Sequence, residues 1–265
     1  MYRKHFGLNR HPFCKEIDPD ELFVCAAAKE TEVRLGHLLD MRGIGLVTGD
    51  SGSGKTTIVR RVLSALHAGL YRVVYVTLST GNVMDTYKSI AWELGLPTER
   101  NRAALFRQLR QEVTRLVTEA RCRPIVVIDE AHHLRSDVLE DLRLLTNYQM
   151  DSENRLCLLF VGHPEIRRRL ALAAHEALDQ RIVVRAHVPG LSRDELEPYL
   201  RHLLRRAGTE LQLFEPAALE AMFQATGGLP RKINQLAHYA LFAAAAAKTK
   251  TASAEHVTSA LTEIS

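Results

Sequence analysis

The sequence predicts an α/β fold: a parallel sheet covered by helices on both faces, followed by a small all-helical domain. Three observations predict it. Apolar runs of strand length alternate with helical patterns as far as residue 189. The first of those runs ends in a glycine-rich turn that leads straight into a helix. Beyond Gly190 the strand signal stops and only helical spacing remains.

The elements follow in order. Pro12 and Pro19 break the opening residues into loop, and 31–40 has helical spacing. Residues 45–48 read as a short strand running into glycines, and 58–66 as the helix after them. Residues 71–78, rich in Val and Tyr, read as a buried strand. Residues 83–94 and 102–120 are helical, 124–128 is a continuous apolar strand, 136–148 a helix, 156–161 another buried strand and 182–188 the last one. Continuous apolar runs, without polar alternation, are what strands buried on both faces of a parallel sheet require. Ser192 then caps a helix to residue 207, with Asp194 and Glu195 in its first turn where carboxylates suit the helix dipole. Residues 215–226 form a second helix closed by Gly227 and Gly228, Pro230 opens a third to residue 247, and 253–264 is a fourth. The expected division is 1–190 for the α/β domain, with 1–40 as its N-terminal extension, and 191–265 for the small helical domain.

Composition narrows the class. The chain has 265 residues, 46% hydrophobic and 25% charged, which suits one large domain or a large and a small one. Lys plus Arg number 35 against 31 Asp plus Glu; a formal charge of +4 permits a basic patch without demanding a nucleic-acid partner. No apolar stretch approaches a membrane span, and the first nine residues carry no signal-peptide core. Cys14, Cys25, Cys122 and Cys157 show no metal-knuckle spacing and fit a reducing cytosol, so the expected location is cytoplasmic and off the membrane.

Two motifs carry chemistry. Gly49-Asp50-Ser51-Gly52-Ser53-Gly54-Lys55-Thr56, followed by Thr57, matches the phosphate-binding loop G-x-x-x-x-G-K-[ST], with a strand before it and a helix after it. Its glycines allow a tight turn whose N–H groups and helix N-terminus face the phosphates of ATP. Lys55 is expected to bridge the β- and γ-phosphates and Thr56 to ligate Mg²⁺. Ile125-Val126-Val127-Ile128-Asp129-Glu130 is a buried strand ending in a carboxylate pair, the form of a Walker B element. Asp129 would join Thr56 in the Mg²⁺ shell, and Glu130 would polarise the attacking water. Asp129-Glu130-Ala131-His132 also spells a helicase box, but the chain is too short for the two nucleotide-gripping domains that box requires. His132 and His133 read as polar residues at a helix start rather than as metal ligands.

A phosphate loop, a Walker B strand and a helical lid resemble the AAA+ ATPases. The opening Phe6-Gly7-Leu8 with Pro12-Phe13, then Asp18-Pro19 and Phe23, Gly162-His163-Pro164-Glu165 after the fourth strand, and Gly227-Gly228-Leu229-Pro230-Arg231 in the lid, resemble the ExeA-like ATPases. That resemblance implies two branches. Secretion-type members continue into a membrane span and a peptidoglycan-binding domain, neither of which precedes Ser265. The other branch, the TnsC/MuB/IstB-type regulators of DNA transposition, implies assembly with ATP on double-stranded DNA without sequence specificity. It also implies a ring or helical filament of identical subunits, recruitment or activation of a transposase, and a target-selection protein as a further partner. The sequence is expected to follow this second branch, with a secretion or signalling ATPase acting on a protein partner as the alternative, and a nucleotide switch with negligible hydrolysis as a third reading.

By position, the resemblance implies further roles. His163 falls at sensor 1, where the family pattern has Gln. Arg181 falls at the arginine finger, with Arg185 as the other candidate, and Arg231 at sensor 2. Pro12 and Phe13 would line the adenine pocket, or Phe13 simply packs in a core. The loop and helix starts that line a DNA channel in the transposition regulators correspond to 81–88 and 98–107, which makes Arg102 the leading DNA contact, with Lys88, Arg100 and Arg107 beside it. Met84 stands where a basic residue would fit better. Arg167-Arg168-Arg169 and Arg201, Arg205, Arg206 are competing basic clusters.

Overall fold

The computed structural model describes residues 2–14, 16–77 and 82–264. In chain order the elements are α1 (Tyr2–His5), α2 (Ala26–Met41), β1 (Ile44–Thr48), α3 (Lys55–Ser64), β2 (Tyr71–Thr77), α4 (Val83–Glu93), α5 (Arg102–Thr118), β3 (Arg123–Asp129), α6 (Ser136–Leu145), β4 (Cys157–Gly162), α7 (Glu165–Leu170), α8 (Glu176–Asp179), β5 (Ile182–His187), α9 (Arg193–Arg206), α10 (Pro216–Thr226), α11 (Pro230–Ala246) and α12 (Ala254–Ile264). Leu78 and Gly81, which close the expected second strand and open the expected DNA stretch, lie outside the described residues.

The five strands form one parallel sheet in the order β2-β3-β4-β1-β5. Every residue of β1 and β4 is buried, and all of β3 after Arg123. A strand buried at both odd and even positions is covered on both faces, so the helices sandwich the sheet as the apolar runs predict. The edge strands β2 and β5 alternate instead. The core joins Leu46, Val126, Ile128, Leu158 and Phe160 of the sheet to Tyr87 and Ile90 of α4, Leu105 and Leu109 of α5 and Leu139 and Leu142 of α6. The order has a functional consequence. The chain leaves β1 through α3 and re-enters at the far edge in β2, so the carboxyl ends of β1, β4 and β3 lie side by side at the place where the strand order reverses, the usual position of a ligand crevice in such sheets.

Contacts divide the chain into two compact units. One comprises Ala26–Asp50 and Lys55–Val188 and holds the whole sheet. The other comprises Met1–Cys25, Ser51–Gly54 and Pro189–Ser265 and is helical. In the helical unit α9 starts with the capping box that the sequence suggests, Ser192 and Glu195 satisfying each other's backbone N–H. Gly227, at φ 58°, closes α10. The alanine-rich α11 packs on α12, and its Ala237, Ala240 and Ala244 are fully buried.

The N-terminal segment departs from the expectation of an extension on the α/β domain. Tyr2, Phe6 and Leu8 are buried in the same core as Leu200, Leu203, Phe214 and Ile233 of the helical unit. Asn9 N–H donates to the carbonyl of Ala207 at 2.8 Å, Tyr2 OH lies 3.0 Å from His238 Nδ1, and Glu21 accepts from both Arg206 and Arg10. Three apolar anchors and an ion-pair network outweigh sequence proximity to α2. Helix α2 itself begins at Ala26, five residues before the expected start, because the alanines after Cys25 already favour helix.

Candidate nucleotide site

Within the α/β unit, β1 ends at Thr48 and the next N–H, of Gly49, donates to the carbonyl of Gly162 at 3.2 Å, which ties the start of the loop to the end of β4. Lys55 opens α3, and its side chain is only 6% exposed. A buried ammonium demands an anion, yet among the described residues no carboxylate pairs with Lys55. Thr56 Oγ1 donates to Asp129 Oδ2 at 3.0 Å. Asp129, also buried, accepts two further bonds: Tyr75 OH donates to Oδ2 at 2.6 Å and the Glu130 N–H to Oδ1 at 2.8 Å. Burial, then the bond to Asp129, pushes the Tyr75 phenol far above its ordinary value, so it stays a donor.

Within the helical unit, the segment Ser51–Gly54 meets the start of α11. The Arg231 N–H donates to the carbonyl of Gly52 at 3.2 Å, and its guanidinium to Ser51 Oγ at 3.3 Å. Gly52 sits at φ +84° and Gly54 at φ +95°, which L side chains rarely adopt, and a Cβ on Gly52 would stand 2.7 Å from Arg231 Cβ. Ser53 Oγ is buried and has no hydrogen-bond partner among the described residues.

These features fit a nucleoside triphosphate with a divalent cation. In the α/β unit, a buried lysine with no carboxylate partner among the described residues is what a triphosphate satisfies. Thr56 and Asp129 present oxygens 3.0 Å apart, which matches the edge, about 2.9 Å, of an octahedron with 2.0–2.1 Å Mg²⁺ bonds.

Glu130 follows the strand end in the left-handed region, φ 52°. Its carboxylate is half exposed and lies 3.5 Å from His132 Nδ1. Burial, then the neighbouring His133, holds the His132 imidazole below its ordinary value. Its Nδ1 accepts from the N–H of His163 at 3.3 Å, and a Cβ on Gly162 would stand 3.2 Å from the His132 backbone nitrogen. Arg169 fastens the same turn, donating to the carbonyls of His132 at 2.7 Å and Leu134 at 2.5 Å. His163 Nε2 lies 3.4 Å from Asp50 Oδ1.

The structure brings Asp129, Glu130, Lys55, Thr56, Asp50 and His163 together at one end of the sheet. The remaining candidates are placed differently. Arg181 is paired with Asp151. Arg185 is paired with Asp179 at 3.0 Å and also donates to that residue's carbonyl at 2.8 Å. Phe13 packs against the core of the helical unit beside a buried Pro12. Arg102 is paired with Asp141, its Nε donating to Oδ2 at 3.0 Å. Arg100 and Arg107 are exposed and Lys88 half-buried. Of the other basic side chains, Arg110 stacks on Tyr148 with its guanidinium 4.2 Å from the ring centre, and Arg201 and Arg206 pair with Glu197 and Glu21.

Sequence reasoning missed Tyr75 and the contact of His132 with Glu130. Tyr75 alone carried a signal: a tyrosine in an apolar strand whose partner strand ends in Asp129. Asp141 and Asp151, the partners of Arg102 and Arg181, had none.

Comparison with known proteins bears on the family and the fold. Residues 39–170 match the AAA domain family. The chain is 34% identical over 247 residues to General secretion pathway protein A of Aeromonas hydrophila, a match that covers 92% of this chain and 45% of that protein. It is 29% identical over 137 residues to ATP-dependent target DNA activator B of Escherichia phage Mu, covering 51% of this chain and 39% of that one. The chain thus spans less than half the length of the curated relatives it matches. Among solved structures, Drosophila ORC bound to DNA aligns with a TM-score of 0.73 at 19% identity over 98% of this chain and 66% of the other. Cdc6p from Pyrobaculum aerophilum aligns with a TM-score of 0.70 at 18% identity over 93% and 71%. At such identities the shared property is the fold.

Proposed function

The chain belongs to the AAA domain family, and from that premise we propose that it is an ATPase that assembles on double-stranded DNA in its ATP-bound state and regulates DNA transposition. The observation that carries the ATPase part is a buried pair: Lys55, with which no carboxylate pairs among the described residues, and Asp129 holding the Thr56 hydroxyl at 3.0 Å. The loop 49–56 would hold the triphosphate, with Lys55 against its terminal phosphates and the Ser53 hydroxyl taking a phosphate oxygen as its missing partner. Thr56 and Asp129 would hold Mg²⁺, which when bound neutralises charge on the phosphate oxygens. Glu130, half exposed where its neighbours are buried, would take the proton of the attacking water. Arg231, already on the loop tip through Ser51, would report the phosphate state to the helical unit. Arg181 would act on the nucleotide of a neighbouring subunit after leaving Asp151.

The DNA part is supported by the likeness to a relative whose name specifies ATP-dependent activation of target DNA. Binding would be directed at phosphates by exposed cations such as Arg100 and Arg107, repeated by each subunit of a ring or filament, and therefore steeply salt-dependent without base readout. Recruitment or activation of a transposase would follow from the assembled state, and hydrolysis would disassemble it. A second reading has its own observation. The secretion-pathway relative matches at higher identity over most of the chain, and under that reading the ATPase drives a protein partner without DNA.

Anisotropy of labelled double-stranded DNA of arbitrary sequence, with a non-hydrolysable ATP analogue and without nucleotide at two salt concentrations, separates the readings. Salt-sensitive binding that needs the analogue supports the DNA reading, and its loss in Lys55→Ala ties it to the site. Absence of binding at low salt overturns it and leaves the secretion-type reading.

A further inference from the structure

Glu130, His132 and His133 bring one carboxylate and two imidazoles together, with a ligand atom from each lying within 4.8 Å of the others. The two imidazole rings lie with centroids 4.0 Å apart, tilted by 39°. The turn that carries them is held at two carbonyls by Arg169, so the donors are presented by a fixed backbone. His132 Nδ1 receives the His163 N–H only at 3.3 Å, a long contact that a metal ion bound at Nδ1 would replace. That same Nδ1 faces Glu130 Oε2 at 3.5 Å. Two donors about 3.4 Å apart are what a tetrahedral zinc ion with bonds of 2.0–2.1 Å spans. Glu130 and His133 are both exposed, so their side chains are free to close the remaining distance.

We propose that Glu130, His132 and His133 form a site for a transition-metal dication of the zinc class. The donor set selects against Mg²⁺, a hard cation that takes oxygen ligands and retains its waters, and in favour of Zn²⁺, Co²⁺ or Ni²⁺, which accept imidazole. The site is distinct from the Thr56–Asp129 pair, whose oxygens engage each other and Tyr75. Occupancy has a direct consequence for the chemistry proposed above: coordination withdraws charge from the Glu130 carboxylate and makes it a weaker base, so the metal suppresses hydrolysis while leaving the phosphate loop open to ATP. Metal binding itself does not depend on the ATPase reading; the inhibition does.

Titration of Co²⁺ into nucleotide-free full-length protein, followed by its visible absorption, tests the site. Wild type is expected to take up one Co²⁺ with the intense bands of a low-symmetry, nitrogen-containing site. His133→Ala and His132→Ala are each expected to weaken uptake by about tenfold or more, whereas Lys55→Ala binds as wild type does. His133 is exposed, and circular dichroism checks that its variant is folded. No uptake by wild type, or equal uptake by His133→Ala, overturns the site. In a second arm Zn²⁺ is added to the ATPase assay at saturating Mg²⁺. Wild type loses activity, and His133→Ala keeps its basal rate and resists the loss. Equal inhibition of the two proteins overturns the switch. A protein that binds Co²⁺ but hydrolyses no ATP refutes the ATPase reading and leaves the metal site standing.

Discussion

Arg102→Ala distinguishes a structural arginine from a DNA-binding one. Arg102 is the first residue of α5, and its guanidinium engages Asp141 of α6. Asp141 is 5% exposed and also accepts from the hydroxyl of Tyr87, on α4, at 3.0 Å. One buried carboxylate therefore joins three helices that cover the sheet. Truncating Arg102 leaves that charge with a single phenol. Breaking a fully buried pair costs about 3–5 kcal/mol, and an exposed pair about 0.2–1 kcal/mol. Arg102 is 61% exposed at its side chain against 8% for Asp141, so the expected loss lies between, at about 1–3 kcal/mol, the range of a hydrogen bond to a charged group. In a unit of this size each kcal/mol lowers Tm by about 2–4 °C. Thermal unfolding of Arg102→Ala should thus fall by several degrees, and Arg102→Ala/Asp141→Asn should recover part of the loss, since the orphaned charge is gone. Arg107→Ala, on the same helix and exposed, should leave Tm unchanged and lower DNA affinity by reducing the salt slope by about one unit. A Tm for Arg102→Ala equal to wild type, together with reduced DNA affinity, would refute the structural reasoning and return Arg102 to the DNA interface.

Other expectations rest on different parts of the molecule. Glu130→Gln should bind ATP as wild type does while hydrolysis falls by about 10²–10⁴-fold; equal turnover would make the chain a nucleotide switch without significant hydrolysis. Leu109→Ala, at a fully buried position of α5, should cost about 2.7–5 kcal/mol in chemical denaturation. Hydrogen bonds from Arg206, then Arg10, hold the Glu21 carboxyl below the usual carboxylate range. A depressed folded-state value adds stability above the unfolded value, about 4.3, and that stability fades as pH falls through the folded one. Acid unfolding should therefore separate wild type from Glu21→Gln near neutral pH, with the two curves converging in strong acid; parallel curves would refute the link.

The sheet was legible because a parallel strand covered on both faces is written as an unbroken apolar run, as in residues 125–128 and 157–161. The phosphate loop was legible because its conformation requires glycine at Gly52 and Gly54. The segment before α2 was not. Tyr2, Phe6 and Leu8 announce that they are buried but not in which core, and their core is built from residues near the other end of the chain. Helices α7 and α8, of six and four residues, are too short to show a 3.6-residue period. Charge was the least informative signal. Arg102 reads as a DNA contact and Arg169 as part of a basic cluster, and each engages a carboxylate or carbonyl distant in sequence.

The same observation bears on which arginine serves as a finger. A side chain that reaches into a neighbouring subunit must first exchange its own partner for phosphate, so the better candidate is the one held by fewer bonds. Arg185 is held twice by Asp179, through carboxylate and carbonyl. Arg181 is held by the carboxylate of Asp151, half exposed at the end of three consecutive residues, Gln149, Met150 and Asp151, with φ of 48°, 53° and 69°. Non-glycine residues in the left-handed region carry a conformational cost, and a segment that can lower its energy by rearranging is a poor anchor. The pair that tethers Arg181 thus stands on the backbone most ready to yield, whereas Arg185 is tied to the short helix α8. Release of Arg181 would not disturb the sheet, and this favours Arg181 over Arg185 for the role in trans.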